Sequence, residues 1–309
     1  MQIPEGLTSR PLVQGDARSV FEAMASQELE DIGMVEIEEA DIVGDWGRPS
    51  FDIAASTIGV FDGDKLVGYG EVSQSDRGDA AVLPAYRGRG IGTALAGWMQ
   101  ETARRAGATI VGMPVPEGSP GDRLLAALGY QVRWTSWVLQ LPEGATIVER
   151  PLPEGYAVRE AAPSEYACVH DVVEDAFLEW SVRERETYDD FHAVVLGRPG
   201  FEPWQLRVVT DPDGVIVGVA SVSVTEDPST GSGQAARDPE AYISRLAVRR
   251  DQRNRGLAQA LMVDAFAQAR AHGAVTSALS TDSRTGALGL YEKVGMRVTS
   301  VWVNRAITL

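Results

Sequence analysis

The chain has one cysteine and three histidines in 309 residues, and no window approaches 18 uninterrupted apolar residues. A lone Cys168 can form no internal disulfide and favours a reducing compartment. His170, His192 and His272 lack ligand partners at metal spacing, so no metal is expected. Without a long apolar run nothing spans a membrane as a helix. The opening MQIPEGLTSR has no basic stretch followed by an apolar one, so a cytoplasmic protein is expected. Basic residues are also scarce: 28 Lys and Arg face 44 Asp and Glu, a net charge of -16. Such a surface repels phosphate backbones and anionic lipid, which makes nucleic acid and membrane poor partners. Amine-bearing small molecules suit it better. The 44% hydrophobic content is ample for packed cores and excludes wholesale disorder. No Ser/His/Asp or Cys/His order with a recognised elbow occurs.

What the chain does have is an internal repeat. GRPSF at 47–51 recurs as GRPGF at 197–201, 150 positions later, and Gly68 and Gly218 keep that spacing. Further on, YRGRGIGTAL matches QRNRGLAQAL, with Arg87 and Arg253 separated by 166. Gly107 with Gly273, and Gly129 with Gly295, hold the same 166. The offset changes once, where EDPSTGSGQAARDPE (226–240) reads as a long loop in the second copy. The Pro/Gly-rich LPEGATIVERPLPEG (141–155) reads as the boundary, giving domains 1–145 and 146–309.

Each copy shows the same order of elements. A helical stretch comes first, then a hairpin signalled by DGD or DPDG between β-branched runs. Another strand, DAAVL or YISRLAV, runs into a glycine/arginine turn and a helix stopped by glycine. A strand, a short helix and a last strand follow. This order predicts an α/β fold with a mixed sheet, twice over.

The turn is the sharpest chemical feature. Copy one carries Arg87, Gly90 and Gly92; copy two carries Arg253, Gly256 and Ala258. Small residues at a strand-to-helix turn let main-chain N–H groups and the helix dipole meet an anion such as a pyrophosphate. Neither copy has the GxxxxGK[ST] loop or the acidic residue of dinucleotide folds.

On these residues the chain resembles the GNAT acetyltransferase superfamily, once per copy. LAVRRDQRNRGLAQALMVDAFAQARAHG is similar to the family's acyl-CoA pyrophosphate segment, and ALGLYEKVGM to its C-terminal segment. The resemblance implies splayed mixed sheets with acetyl-CoA as acyl donor between two parting strands, and direct transfer to an amine in a ternary complex. It implies that Arg253, Asn254, Arg255, Gly256, Leu257 and Ala258 hold the pyrophosphate by their backbone. Leu246 and Val248 would pair with the pantetheine arm. Tyr291, four before Gly295, falls where the family has its general acid, which would protonate the departing thiolate.

Two departures from the family pattern matter. Leu125 stands at the position matching Tyr291, so copy one lacks the acid although Arg87, Gly90 and Gly92 complete its turn. Copy one is therefore expected to be non-catalytic and copy two catalytic. Arg284 stands where the family often has Asn, next to the expected CoA contacts. No Glu lies on YISRLAV, so the base that frees the amine must come from elsewhere. Glu226 and Glu240 are the main candidates, with Asp227, Asp282 and Glu179 beside them. The expected acceptor is a small primary amine. A peptide or protein amine is one alternative, and a non-catalytic CoA-binding sensor or scaffold is another. Monomer and homodimer both stay open.

Overall fold

The computed structural model describes residues 3–74, 76–225 and 238–309. In chain order the elements are β1 (Thr8–Arg10), α1 (Ala17–Ile32), α2 (Glu39–Trp46), α3 (Ile53–Ser56), β2 (Thr57–Asp62), β3 (Lys65–Ser73) and β4 (Arg77–Val82). Next come α4 (Ile91–Arg105), β5 (Ile110–Pro116), α5 (Pro120–Ala127) and β6 (Gln131–Gln140). The second repeat continues with β7 (Ala157–Glu160), α6 (Tyr166–Phe177), α7 (Tyr188–Phe191), β8 (Leu206–Thr210) and β9 (Ile216–Thr225). It ends with β10 (Glu240–Val248), α8 (Leu257–Ala271), β11 (Thr276–Asp282), α9 (Leu288–Lys293) and β12 (Arg297–Thr308). The architecture is mixed α/β, as the repeat pattern predicts.

Two compact units emerge: 1–136 with 300–309, and 137–299. This partition differs from a single cut at 145/146 because it divides the last strand of each repeat, β6 and β12. In unit 1, β2, β3 and β4 form an antiparallel meander. β4 then meets β5 in parallel, and Trp302–Thr308 of β12 pairs antiparallel along Ile110–Pro116. Helices α1 and α2 cover one face through Val20, Phe21, Ile42 and Trp46 against Phe61, Tyr69 and Ala81. Helices α4 and α5 cover the other through Ala96, Met99 and Leu125 against Val111, Met113 and Val115.

Unit 2 repeats this plan. β7, β8, β9 and β10 are antiparallel neighbours, and β10 meets β11 in parallel. On α8, residues Leu257, Leu261, Met262, Ala265, Phe266 and Ala269 are buried. That spacing puts them on one helical face, against Val209, Val217 and Leu279. Burying each large side chain contributes roughly 1.5–3 kcal/mol. On the opposite face α6 buries Val169, Val172, Val173 and Ala176. The sequence places Cys168 beside Val169 on that apolar stripe, but Cys168 is exposed. One helical step, about 100°, turns its side chain away from the stripe. His170 takes the inner position and its Nε2 lies 2.9 Å from the Glu186 carbonyl oxygen.

Unit 1 carries an ionisable group inside its core. Glu28 on α1 accepts N–H bonds from Glu36 at 2.7 Å and Ile37 at 3.0 Å, fixing the turn after α1. Burial, reinforced by Glu36 and Asp79, pushes its carboxyl from the ordinary 4.5 up to about 7. The folded chain thus holds this proton more tightly than the unfolded one. Its contribution to stability is complete below about 4.5 and is lost as pH rises through about 7. Glu28→Gln keeps one acceptor oxygen and removes the titration. Thermal melts of this variant across that pH range should show a flatter decline than those of the parent chain.

Candidate functional site

In unit 2 the parallel pairing of β10 with β11 runs from Glu240↔Thr276 to Ile243↔Leu279 and stops. β10 stays paired with β9 as far as Val248, but the register slips between Ile243 and Arg245, leaving Ser244 as the extra residue of a bulge. Beyond the bulge β10 therefore has one paired edge and one edge without a strand partner among the described residues. Leu246 and Val248 lie on this stretch. β11 continues to Asp282, so the two strands part there.

The open edge leads straight into the turn. Arg253 is extended, Asn254 has φ 65° and Gly256, the N-cap of α8, has φ 81°. Asn and Gly are the residues that tolerate the left-handed region at low cost. No side chain caps α8, so its first-turn N–H groups lack a side-chain acceptor. A Cβ placed on Gly256 would meet nothing nearer than Arg150 Cδ at 3.8 Å, so the approach is open. Uncapped amides, the helix dipole and small Ala258 together offer a place for an anion.

The arginine side chains of the turn are already engaged. Arg253 makes a two-pronged pair with Glu179 at 2.7 and 2.9 Å, and its Nε donates to the Val248 carbonyl. Arg255 donates to the Tyr156 hydroxyl at 3.1 Å, which in turn donates to Gln252 at 2.7 Å. What this turn presents is its backbone, while these side chains brace it. Arg284 pairs with Asp282 through Nη2 at 2.5 Å, and its guanidinium lies over the Trp180 ring at 4.9 Å.

Tyr291 on α9 is 7% exposed and packs in the core cluster that also holds Leu257 and Met296. Burial alone pushes its phenol up to about 12, so it stays protonated at neutral pH. Among the described residues its hydroxyl has no hydrogen-bond partner.

Unit 1 repeats the turn. Gly88 at φ 75° and Gly90 at φ 89° match Asn254 and Gly256, and α4 likewise starts with no side-chain cap. Arg87 pairs two-pronged with Asp31 at 2.7 and 2.9 Å, as Arg253 does with Glu179. A Cβ on Gly92 would come within 2.7 Å of Leu124 Cδ2, which explains glycine there where unit 2 has Ala258. Leu125 is buried in the core in place of a tyrosine. No bulge interrupts β3 with β4.

This twofold geometry agrees with comparison to known proteins. The Acetyltransferase (GNAT) family matches residues 21–130 and again 166–296. The chain belongs to the GNAT acetyltransferase family. It is 30% identical over 259 residues to a protein named mycothiol acetyltransferase from Salinispora arenicola, covering 77% of each. A GCN5-related N-acetyltransferase from Sphaerobacter thermophilus shares its fold, with TM-score 0.74 at 23% identity over 99% of this chain and 97% of that one. A tandem GNAT protein from the clavulanic acid biosynthesis pathway does so with TM-score 0.71 at 19% identity, covering 98% of both chains.

In this N-acetyltransferase with two GNAT repeats, the structure sorts the carboxylates that the sequence offered as proton acceptors. Glu179 is committed to Arg253 and Asp282 to Arg284. Glu240 sits at the start of β10, where Oε2 accepts from Gln140 Nε2 at 2.5 Å and from Thr276 at 3.3 Å. It lies on the paired side of the bulge, four residues before Ser244, about 13 Å along the strand. Glu226 and Asp227 lie outside the described residues. The sequence reading missed Asp79, which stands on the strand before the turn in this GNAT chain's first repeat, 166 positions before Arg245. The constant offset was the signal that would have found it. Among the described residues no group of three or more His, Cys, Asp or Glu is arranged to hold a metal ion.

Proposed function

We propose that the second repeat transfers an acetyl group from acetyl-CoA to the primary amine of a small molecule by direct attack in a ternary complex. The observation that carries this reading is the parted β10/β11 edge ending in the uncapped, left-handed turn at Gly256. The turn's amides, from Arg253 to Ala258, bind the pyrophosphate, and the free edge at Leu246 and Val248 pairs with the pantetheine arm. Arg284, its guanidinium over the Trp180 ring, flanks the donor. Tyr291 gives its hydroxyl proton to the sulfur as the carbon–sulfur bond breaks.

An alkylammonium has a pKa near 10.4, so freeing the amine at neutral pH costs about 4–5 kcal/mol. Glu226 and Glu240 are the proposed proton acceptors, Glu240 through water because of its distance from the bulge. The first repeat, with Leu125 in the tyrosine's place, keeps the turn at Arg87, Gly90 and Gly92 without the acid.

The test is transfer from acetyl-CoA to a panel of amines, read as thiol release and product mass. The relatives named mycothiol acetyltransferase put an amine of the mycothiol kind first in that panel, with small diamines, amino sugars and peptides beside it. Acetylated small amines are expected. Transfer to peptides alone would move the reading to a peptide-amine acetyltransferase. Coenzyme binding with no transfer to any amine would leave a CoA-binding sensor.

A further inference from the structure

The face of the unit 1 sheet covered by α1 and α2 carries hydrogen-bond acceptors that the second repeat lacks. Glu71 on β3 and Asp79 on β4 are register partners. Their side chains leave the same face directly opposite each other, an arrangement in which like charges repel. Glu71 is buried, and its two donors, Trp46 Nε1 at 2.9 Å and the Tyr69 hydroxyl at 2.5 Å, both go to Oε2. Oε1 receives no donor among the described residues. Loss of water is the main cause that lifts both carboxyls above their usual range.

β4 and β5 part just after Arg77↔Gly112, their one register pair. Asp79 lies two residues beyond Arg77 on one side of the opening. Pro114 lies two beyond Gly112 on the other, and its partner across β12 is Asn304. Asn304 is thus on the same face as Asp79, across the opening. Its Oδ1 lies over Gly112, 2.9 Å from where a Cβ would be. Asn304 is 5% exposed, and this Oδ1 is the one buried side-chain polar atom without a partner among the described residues. A buried acceptor with no donor is unfavourable, and so is a carboxylate pair in which Glu71 is buried and Asp79 half-buried.

The fold itself does not require either. At the matching places in unit 2 the register partners are Ser221 and Arg245, and the Arg245 guanidinium lies 5.9 Å from the Phe191 ring centre. One repeat therefore gathers acceptors where the other places a cation. A primary ammonium has three N–H donors and no acceptor, which matches Glu71, Asp79 and Asn304.

We propose that this opening in the first repeat binds a small organic ligand through its primary ammonium group, with N–H donors directed at Glu71, Asp79 and Asn304. It does not rest on the catalytic reading of the second repeat.

The test is calorimetric titration of the full chain near neutral pH with 1,4-diaminobutane and with its uncharged counterpart 1,4-butanediol. The diamine should bind and the diol should not. Asp79→Asn, Glu71→Gln and Asn304→Ala should each weaken the diamine by about tenfold or more, while Arg245→Gln in unit 2 should leave it unchanged. Asp79→Asn should melt no lower than the parent chain, because it relieves the carboxylate pair, so its loss of binding is not unfolding. If Glu71→Gln fails to fold, Asp79→Asn and Asn304→Ala carry the comparison. Equal heats for diamine and diol, or diamine binding untouched by the unit 1 variants, would overturn the proposal.

Discussion

Tyr291→Phe is expected to lower kcat at least tenfold while leaving the affinity for acetyl-CoA nearly unchanged. The ring is buried among Leu257, Leu261 and Met296, and phenylalanine keeps that packing while removing one oxygen. Stability should therefore change little, and the loss should fall on turnover. The side chain lacks a hydrogen-bond partner among the described residues and burial pushes its phenol up to about 12, so it stays protonated at neutral pH. Over ordinary assay pH the hydroxyl does not ionise, and no alkaline loss of activity should trace to it. Steady-state kinetics and calorimetry on the same preparation check both halves. A variant with parental kcat would remove Tyr291 from the reaction.

Gly256→Val should weaken acetyl-CoA binding by about a hundredfold, whereas Gly90→Val should leave turnover close to that of the parent chain. Both glycines are left-handed N-caps, with φ 81° and 89°. A β-branched residue in that region costs roughly 1–2 kcal/mol by backbone clash alone. Its side chain also stands where the anion must approach the first-turn amides. The pair separates the two repeats, since the strain is alike in both and only the Gly256 turn lies in the repeat proposed to catalyse transfer. Equal losses of turnover in the two variants would show that the first repeat takes part in transfer.

The turn was legible in the sequence because its chemistry is local. Small residues at fixed distances from an arginine dictate backbone dihedrals, and the structure gives matched values at Gly88/Asn254 and Gly90/Gly256. The repeat and the mixed α/β order were legible for the same reason: hairpin turns, helix stops and apolar periodicity each act within a dozen residues. The partners of charged groups were not. Glu179 and Arg253 are 74 positions apart, and nothing near either residue announces their pairing. The offset of 166 would have singled out Asp79, which the sequence reading missed, but its place opposite Glu71 depends on strand register. The bulge at Ser244 was equally hidden, since YISRLAV reads as an unbroken strand. Cys168 was misplaced by a single helical step, where neighbouring apolar residues outweighed the angle.

By itself, the sequence determined a duplicated α/β chain with two matched glycine/arginine turns and, in the second repeat, a tyrosine where the first has Leu125. Tertiary structure decided which carboxylates are spent in ion pairs, where the strands part, and that Glu71, Asp79 and Asn304 share one face of the first repeat's sheet. It also moved the final strands so that residues 300–309 complete the first unit. Backbone conformation answers to neighbours along the chain, whereas the charge state and pairing of a side chain answer to whatever the folded chain brings beside it.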